Sequence, residues 1–490
     1  MKLPKIIQTI SAQLAKQNAK AIVVGGSVRD HFLKLPIKDY DVEVYGLDSL
    51  EELVSVLETY GSVNLVGKSF GVLKFSYEGE EYDFSFPRKE SKVGSGHCGF
   101  DVEIDGNLDF NDASRRRDFS INALGFDVQA KVFLDPFGGM NDLEAKRVRH
   151  IDDDTFTEDP LRVYRAVQFV ARFGFTLDKQ TFFLCKKMVE EGMLKELPKE
   201  RVYAEWQKLL LKSPKPSVGV ELMRELGILE RYFPELHAIV GVPQSPKWHP
   251  EGDVWVHTMM TLDAMARELK IKNEKLKMKE RQKLMFLFAI LCHDLGKAIT
   301  TTLEYEDGTI KKWQEINKNI SKETYTLTLH SKIRSIGHEY AGIEPTKKLM
   351  YRFTDEHDFI ETVLPLVEHH LKPSQFYRNG AKAAAIRRLA TKVNIEELVV
   401  VAKADFLGRT TEESLAGVYH AGEWLLEKSR DLDVVNKPLD CLLQGRDLVA
   451  LGLEPSAQFK EILDAVYREQ IEGRIVRKDE AVVFVKKRYL

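Results

Sequence analysis

Between Ala21 and Phe126 short apolar runs of period two (AIVVGG, YDVEVYG, VLKFSY, EYDFSF) alternate with glycine-bearing or charged turns and with the helical stretch SLEELVSVLETYG. This pattern predicts an α+β head, a small mixed sheet with helices. After Asp135-Pro136-Phe137-Gly138-Gly139 the period changes to 3.6. PLRVYRAVQFVARFGF, RVYAEWQKLLL and GVELMRELGILERYF each carry an apolar stripe, and strand signals almost vanish. An all-α body is expected there.

The proline-bearing segment GVPQSPKWHPEG interrupts the helical pattern and marks a boundary near residue 245, beyond which a second, histidine-bearing helical unit begins. Within that unit the lysine-rich RELKIKNEKLKMKERQK and the β-leaning TTTLEYEDGTIKKWQEINKNISKETYTLTLH read as surface insertions. The expected division is a head over 1–145, a helical body over 146–245, a second helical domain over 246–420 and a helical tail over 421–490.

Composition sets limits on this picture. A chain of 490 residues exceeds one ordinary core. It contains no uninterrupted apolar run of the roughly 18 residues that a membrane span needs. The first residues, MKLPKIIQTISAQLAKQNAK, interleave polar and apolar positions without the apolar core of a signal peptide, so a cytoplasmic, membrane-free protein is expected. Cys98, Cys185, Cys292 and Cys441 form no CxxC pair and read as packing residues. A formal net charge of -3 means that any RNA-binding surface must be local.

Three patterns carry chemistry. Gly25-Gly26-Ser27-Val28-Arg29-Asp30 follows an apolar strand and opens a helical stretch, where bare backbone N–H groups can face a triphosphate; Gly26 and Arg29 are candidate contacts. Asp39-x-Asp41 follows. Period-two geometry puts the two carboxylates on one strand face, a seat for the Mg²⁺ of phosphoryl transfer, with Asp83 in EYDFSF as a candidate third. A lone DxD is most often a solvated strand face, and only the order of the motifs reverses that reading. In TEDPLRVYRAVQ, Thr157 is the expected N-cap, with Asp159, Arg162 and Arg165 along one helix face. Cytosine and adenine both present an amino donor beside a ring-nitrogen acceptor. Asp159 can accept from the first and Arg162 donate to the second, whereas uracil and guanine would set a carbonyl against the carboxylate. Arg117 and Arg165 are further candidates for triphosphate or base contacts, and Arg116 for a pair with Asp118. Glu200, Arg201 and Glu205 read as a buried charged network behind the selecting helix.

The six motifs GGxVRD, DxD, RRDFSINAL, DPFGG, EDPLR and ERVYAE occur in the order found in the class II tRNA nucleotidyltransferase and bacterial poly(A) polymerase family, which this chain resembles over residues 22 to about 210. The resemblance implies a polymerase β-like head, tRNA as partner, and CTP and ATP as substrates for building a 3′-terminal CCA. Addition of CC alone and poly(A) synthesis are the alternatives within the family. Residues PRKESKVGSGHCGFDVEIDGNL resemble the flexible loop of CCA-adding members. One arginine that related sequences carry beyond Arg165 is Gln168 here.

Farther along, His293-Asp294 lies between His257 and Asp405 in apolar helical surroundings, resembling the HD phosphohydrolase superfamily. That resemblance implies His257, His293, Asp294 and Asp405 as ligands of a divalent metal such as Ni²⁺ or Mn²⁺, and hydrolysis of phosphomonoesters or 2′,3′-cyclic phosphates. His338, His369 and His370 are each balanced between a functional role, completing a second metal position or binding substrate phosphate, and lying on a polar helix surface. Head, body and HD unit together resemble the bacterial multifunctional CCA proteins. A rival of another class is a hydrolase whose head only binds RNA or nucleotide. Oligomeric state is not encoded in any of these patterns.

Overall fold

The computed structural model describes residues 1–66, 72–92, 100–316 and 332–490. The chain forms two compact units, Met1–Ile228 and Leu229–Leu490.

In the first unit, strands β1 (Lys20–Val24), β2 (Asp41–Tyr45), β3 (Ser62–Val66), β4 (Val72–Tyr77) and β5 (Glu80–Ser85) are followed by the hairpin β6 (Arg88–Lys92) and β7 (Phe100–Ile104), then by β8 (Gly125–Asp127) and β9 (Val132–Leu134). Seven of them make one sheet in the order β3-β4-β5-β2-β1-β8-β9, with β2 and β5 parallel and the other pairs antiparallel. Every run read as a strand in the head is one. The central strands β1 and β2 bury all but their first residue, because Ala21 to Val24 and Val42 to Tyr45 meet protein on both faces. Register puts the end of β1 beside the start of β2, Val24 opposite Asp41, and Asp41 opposite Asp83 on β5. The helix Leu50–Glu58 starts at Ser49, whose side chain accepts from the Glu52 N–H. Cys98 and part of the loop assigned to PRKESKVGSGHCGFDVEIDGNL lie outside the described residues.

The expected start of the selecting helix is corrected. Thr157 sits inside a short helix, Asp153–Glu158, capped by Asp152; the chain breaks at Asp159, which is extended, and Pro160 precedes a new helix, Leu161–Phe173, which ends at the left-handed Gly174. Proline disfavours helical backbone at the residue before it, and this separates Asp159 from the helix that carries Arg162 and Arg165. Helix Leu161–Phe173 packs on Lys199–Lys212, in which Trp206 is fully buried.

Among its described residues the second unit is helical apart from a three-stranded sheet of Thr302–Glu304, Ile310–Lys312 and Lys332–Arg334. This sheet belongs to the segment read as an insertion, of which residues 317–331 lie outside the described residues. The lysine-rich stretch is no excursion: it forms the last turns of Val254–Leu276 and the start of Glu280–Cys292, joined at the left-handed Lys277. Glu280–Cys292 is buried without interruption from Leu284 to Cys292 and delivers His293 into the interior. Ile395–Leu407 and His357–His369 pack against it. Helices Gln458–Glu472 and Lys478–Tyr489 close over a separate cluster of Leu443, Leu448, Ile462, Val466 and Val485. Among the described residues no helix is long and apolar enough to cross a membrane.

Candidate functional sites

A cleft of about 750 Å³ in the first unit is lined by Gly25, Gly26, Arg29, Asp39, Asp41, Arg117, Asp159, Arg162 and Arg165, whereas the candidate third carboxylate, Asp83, is not part of its lining. Ten basic side chains line it against four aspartates, although the chain as a whole is slightly acidic. The required basic surface is therefore local.

Strand β2 begins at Asp41, and Asp39 precedes it, so the pair shares the cleft rather than one strand face; both are exposed. The surrounding protein pushes the Asp41 carboxyl above its ordinary value, with Asp83, Asp39 and Glu43 adding to the rise against Arg117. Clustered hard carboxylate oxygens, mutually repelling and open to the cleft, fit a divalent cation such as Mg²⁺.

Glu43, two residues on in β2, is buried where Asp41 is exposed. It accepts from Tyr45 Oη at 2.7 Å and Arg117 Nη2 at 2.8 Å, with Arg116 Nη2 at 3.5 Å. The exposed start of this strand thus faces the cleft while its buried interior anchors arginines, and the sequence pattern gave Glu43 no role. Gly25, at φ 68°, lies beneath Arg117: a Cβ there would come 3.0 Å from Arg117 Nη1. The turn needs glycine for its backbone and for that close approach.

Several arginines serve differently from expectation. Arg29 is buried, donates to Asp30 and to Asn122 Oδ1 at 2.6 Å, and lies over the rings of Phe169 and Phe173. Asp118 is held by Arg165, not Arg116: Arg165 Nε donates to its Oδ2 at 2.6 Å, while Phe119 N–H and Asn122 Nδ2 donate to Oδ1 at 2.9 Å each. Burial would raise the Asp118 pKa, but Arg165 and these bonds outweigh it and hold the carboxyl below its ordinary value. Asp159 accepts from the Leu161 N–H and from Arg201 Nη2 at 3.0 Å, and Arg162 donates to the backbone carbonyls of Thr155 and Arg116. Arg201 thus braces Asp159; Glu205 is buried but bonds Lys208 Nζ at 2.7 Å, and Glu200 is exposed. Gln168 is buried at the cleft, and its amide nitrogen has no hydrogen-bond partner.

In the second unit, His257 Nε2 lies 2.9 Å from Asp405 Oδ1, His293 Nε2 is 3.2 Å from Asp294 Oδ2, and His338 Nε2 is 3.2 Å from Asp294 Oδ1. Two buried groups result, His257–His293–Asp405 and Asp294–His338–His370, each with ligand atoms within 4.8 Å of one another. His369 faces elsewhere and joins neither. Three ring nitrogens, Nε2 of His293, His338 and His370, are buried with no hydrogen-bond partner. The Nδ1–H of each donates to the carbonyl three residues earlier: Ile290 at 2.6 Å, Ser335 at 2.7 Å and Val367 at 2.7 Å. These bonds fix the orientation of each ring. Burial, with His293 and His338 adding to the effect, holds the His370 imidazole down to about 3, so it is neutral at physiological pH. Buried ring nitrogens without a hydrogen-bond partner, beside two carboxylates, fit a transition-metal cation.

The sequence reading missed the groups behind these ligands. Glu251 lies 2.7 Å from His257 Nδ1 and 2.9 Å from His249 Nδ1. Arg409 pairs with Asp405 at 2.8 Å and Lys297 with Asp294 at 2.7 Å. Lys297 stands three residues after Asp294 within LCHDLGK, the one local signal that could have found it. Burial would raise the Asp294 carboxyl, but His293 and Lys297 hold it well below the usual range. A cavity of about 260 Å³ opens onto Asp294, His338, His370 and Asp405.

The family model for the poly A polymerase head domain matches residues 21–149, and that for a probable RNA and SrmB-binding site of polymerase A matches residues 174–240. The multifunctional CCA protein of Pasteurella multocida is 34% identical over 423 residues, covering 84% of this chain and 89% of its own. That of Mannheimia succiniciproducens is 33% identical over 404 residues, covering 80% and 85%. Among solved structures, a CCA-adding enzyme in complex with CTP shares the fold at a TM-score of 0.61 and 18% identity, over 99% of this chain and 96% of that one. The Thermotoga maritima CCA-adding enzyme complexed with tRNA does so at 0.58 and 18%, over 99% and 96%.

Proposed function

This chain belongs to the multifunctional CCA protein family and is a CCA-adding tRNA nucleotidyltransferase; on that premise we propose which of its residues do the work and what its second unit adds. The observation that carries the proposal is the single basic cleft joining Asp39 and Asp41 to Asp159 and Arg162. In each addition the tRNA 3′-hydroxyl oxygen forms a bond to the α-phosphorus of CTP or ATP, the α–β phosphoanhydride bond breaks, pyrophosphate leaves and the hydroxyl proton passes to solvent. Asp39 and Asp41 hold Mg²⁺, which when bound lowers the hydroxyl pKa and neutralises the triphosphate.

Asp159 and Arg162 select the base. The Leu161 N–H and Arg201 fix the carboxylate, and two backbone carbonyls fix the guanidinium. Lone pairs and N–H groups left over are thereby aimed before the nucleotide arrives, which keeps the ordering cost low. Arg117, anchored on Glu43 over the Gly25–Gly26 turn, serves the triphosphate. Arg29 and Arg165 support the cleft wall through Asn122 and Asp118.

The second unit is an HD hydrolase, with His257, His293, Asp294 and Asp405 holding one divalent transition metal such as Ni²⁺ or Mn²⁺, and His338 and His370 offering room for a second. The metal, when bound, supplies a water of lowered pKa. Lys297 and Arg409 lie where a phosphate would be neutralised. Water oxygen bonds to phosphorus, one ribose oxygen–phosphorus bond of a 2′,3′-cyclic phosphate breaks, and the ribose oxygen takes the proton. Functionally the chain divides into head (1–145), selecting body (146–245), hydrolase (246–420) and tail (421–490), working in the cytoplasm. Purified protein given tRNA ending before CCA, with CTP and ATP singly and together, tests the polymerase assignment. Long A-tracts on unrelated RNA would overturn it.

A further inference from the structure

At the mouth of the second cavity the indole of Trp248 is 47% exposed, although it lines the same space as Asp294, His338 and His370. Its neighbour His249 has its ring 4.5 Å from that of His257, so the indole stands within a residue or two of the ligand set. The Arg378 guanidinium, which also lines the cavity, lies 5.5 Å from the indole centroid, and Lys247 Nζ lies 5.2 Å from it. Phosphoester hydrolysis at the buried ligands uses none of these groups. A large ring half in water, steadied by two cations at the rim of a cavity whose depth is built for phosphate, is a surface for another flat ring.

Resting on the hydrolase reading of this site, we propose that Trp248, with Arg378 beside it, is a stacking platform for the nucleobase of the phosphoester being hydrolysed. The site then prefers nucleoside phosphates over phosphoesters that lack a base. The phosphate reaches Asp294, Lys297 and Arg409, and the base stays at the mouth, where the cavity's modest volume no longer confines it. A free nucleotide and the 3′ end of an RNA strand both present this chemistry.

Metal-loaded full-length protein is assayed on adenosine 2′,3′-cyclic phosphate, on a short RNA ending in a 2′,3′-cyclic phosphate, and on glycerol 1,2-cyclic phosphate, which has no base. Base stacking measured by alanine substitution corresponds to roughly a tenfold effect per base. In W248A the ratio of KM for the adenosine substrate to that for the glycerol substrate rises about tenfold while kcat holds, W248F restores most of it, and CCA addition is untouched. A larger rise for the RNA than for the nucleotide identifies the strand end as the preferred source. Equal losses on all substrates, or an unchanged ratio, overturn the proposal. If the wild type hydrolyses none of them the hydrolase reading fails, and calorimetric binding of adenosine 3′-monophosphate against glycerol 2-phosphate still decides the platform: discrimination lost in W248A supports it, and discrimination absent or retained refutes it.

Discussion

Arg165→Ala separates a structural role for this arginine from a direct one. In the structure Arg165 Nε and Nη2 both approach Asp118 Oδ2 at 2.6 Å, and the Asp118 side chain is only 8% exposed. Breaking a buried pair by removing one partner costs about 3–5 kcal/mol, because a buried charge loses its counter-ion. Asp118 retains the Phe119 N–H and Asn122, which points to the low end, about 3 kcal/mol. Opening of the helix Leu161–Phe173 should then become roughly a hundredfold more frequent, at 1.4 kcal/mol per decade. Hydrogen exchange of the peptide covering that helix measures this. The variant Arg165→Ala with Asp118→Ala should lose less than the sum of the single changes, since the stranded charge is gone. The pH dependence has a definite sign: Asp118 has a lowered folded pKa, so the pair's stabilisation is complete above the unfolded value near 3.8 and fades as pH falls through the folded one. If Arg165→Ala leaves exchange within about threefold of wild type yet destroys base selection, Arg165 is a nucleotide contact and the structural role is wrong.

Other outcomes are as specific. Asp39→Ala with Asp41→Ala should abolish nucleotide addition and leave phosphoester hydrolysis in place, and Asp294→Ala should do the reverse; addition surviving the first pair would dismiss the cation seat. Arg162→Ala should admit UTP and GTP by a factor of ten or more, measured by single-nucleotide extension, and unchanged selectivity would place base reading elsewhere. Gly296→Ala should cripple hydrolysis while sparing CCA addition, because its new Cβ collides with the His338 backbone carbonyl; normal metal retention in that variant would contradict the packing. Native protein treated with a thiol reagent should be alkylated at exposed Cys441 and spared at Cys185 and Cys292, whose thiols burial pushes far above their ordinary value; mass spectrometry reads the sites.

What could be read from the sequence was chemistry borne on short spans. The Gly25–Arg29 turn, the Asp39–Asp41 pair and His293–Asp294 are local, although Asp39 precedes its strand and His293–Asp294 follow the end of their helix. Partnerships across long separations were not legible. Arg117 finds Glu43 and Arg165 finds Asp118 only after the sheet and the helix Leu161–Phe173 have packed, so arginines that looked equivalent in the sequence divide into anchored walls and substrate-facing groups. The break at Asp159–Pro160 was misread because the acidic, threonine-bearing run before it imitates a cap. His338 and His370 could not be told from His369 by composition, since only the helix phase turns the last of these away.

The bonds from the ring N–H of His293, His338 and His370 to carbonyls three residues back mean that each ligand carries its own aiming device within one helical turn. No distant partner has to arrive for those rings to point correctly. The connections between them are therefore free to lengthen or shorten without retuning the centre, and the long polar segment between Thr300 and Ser335 shows how much chain such a modular arrangement can carry between two of its ligands.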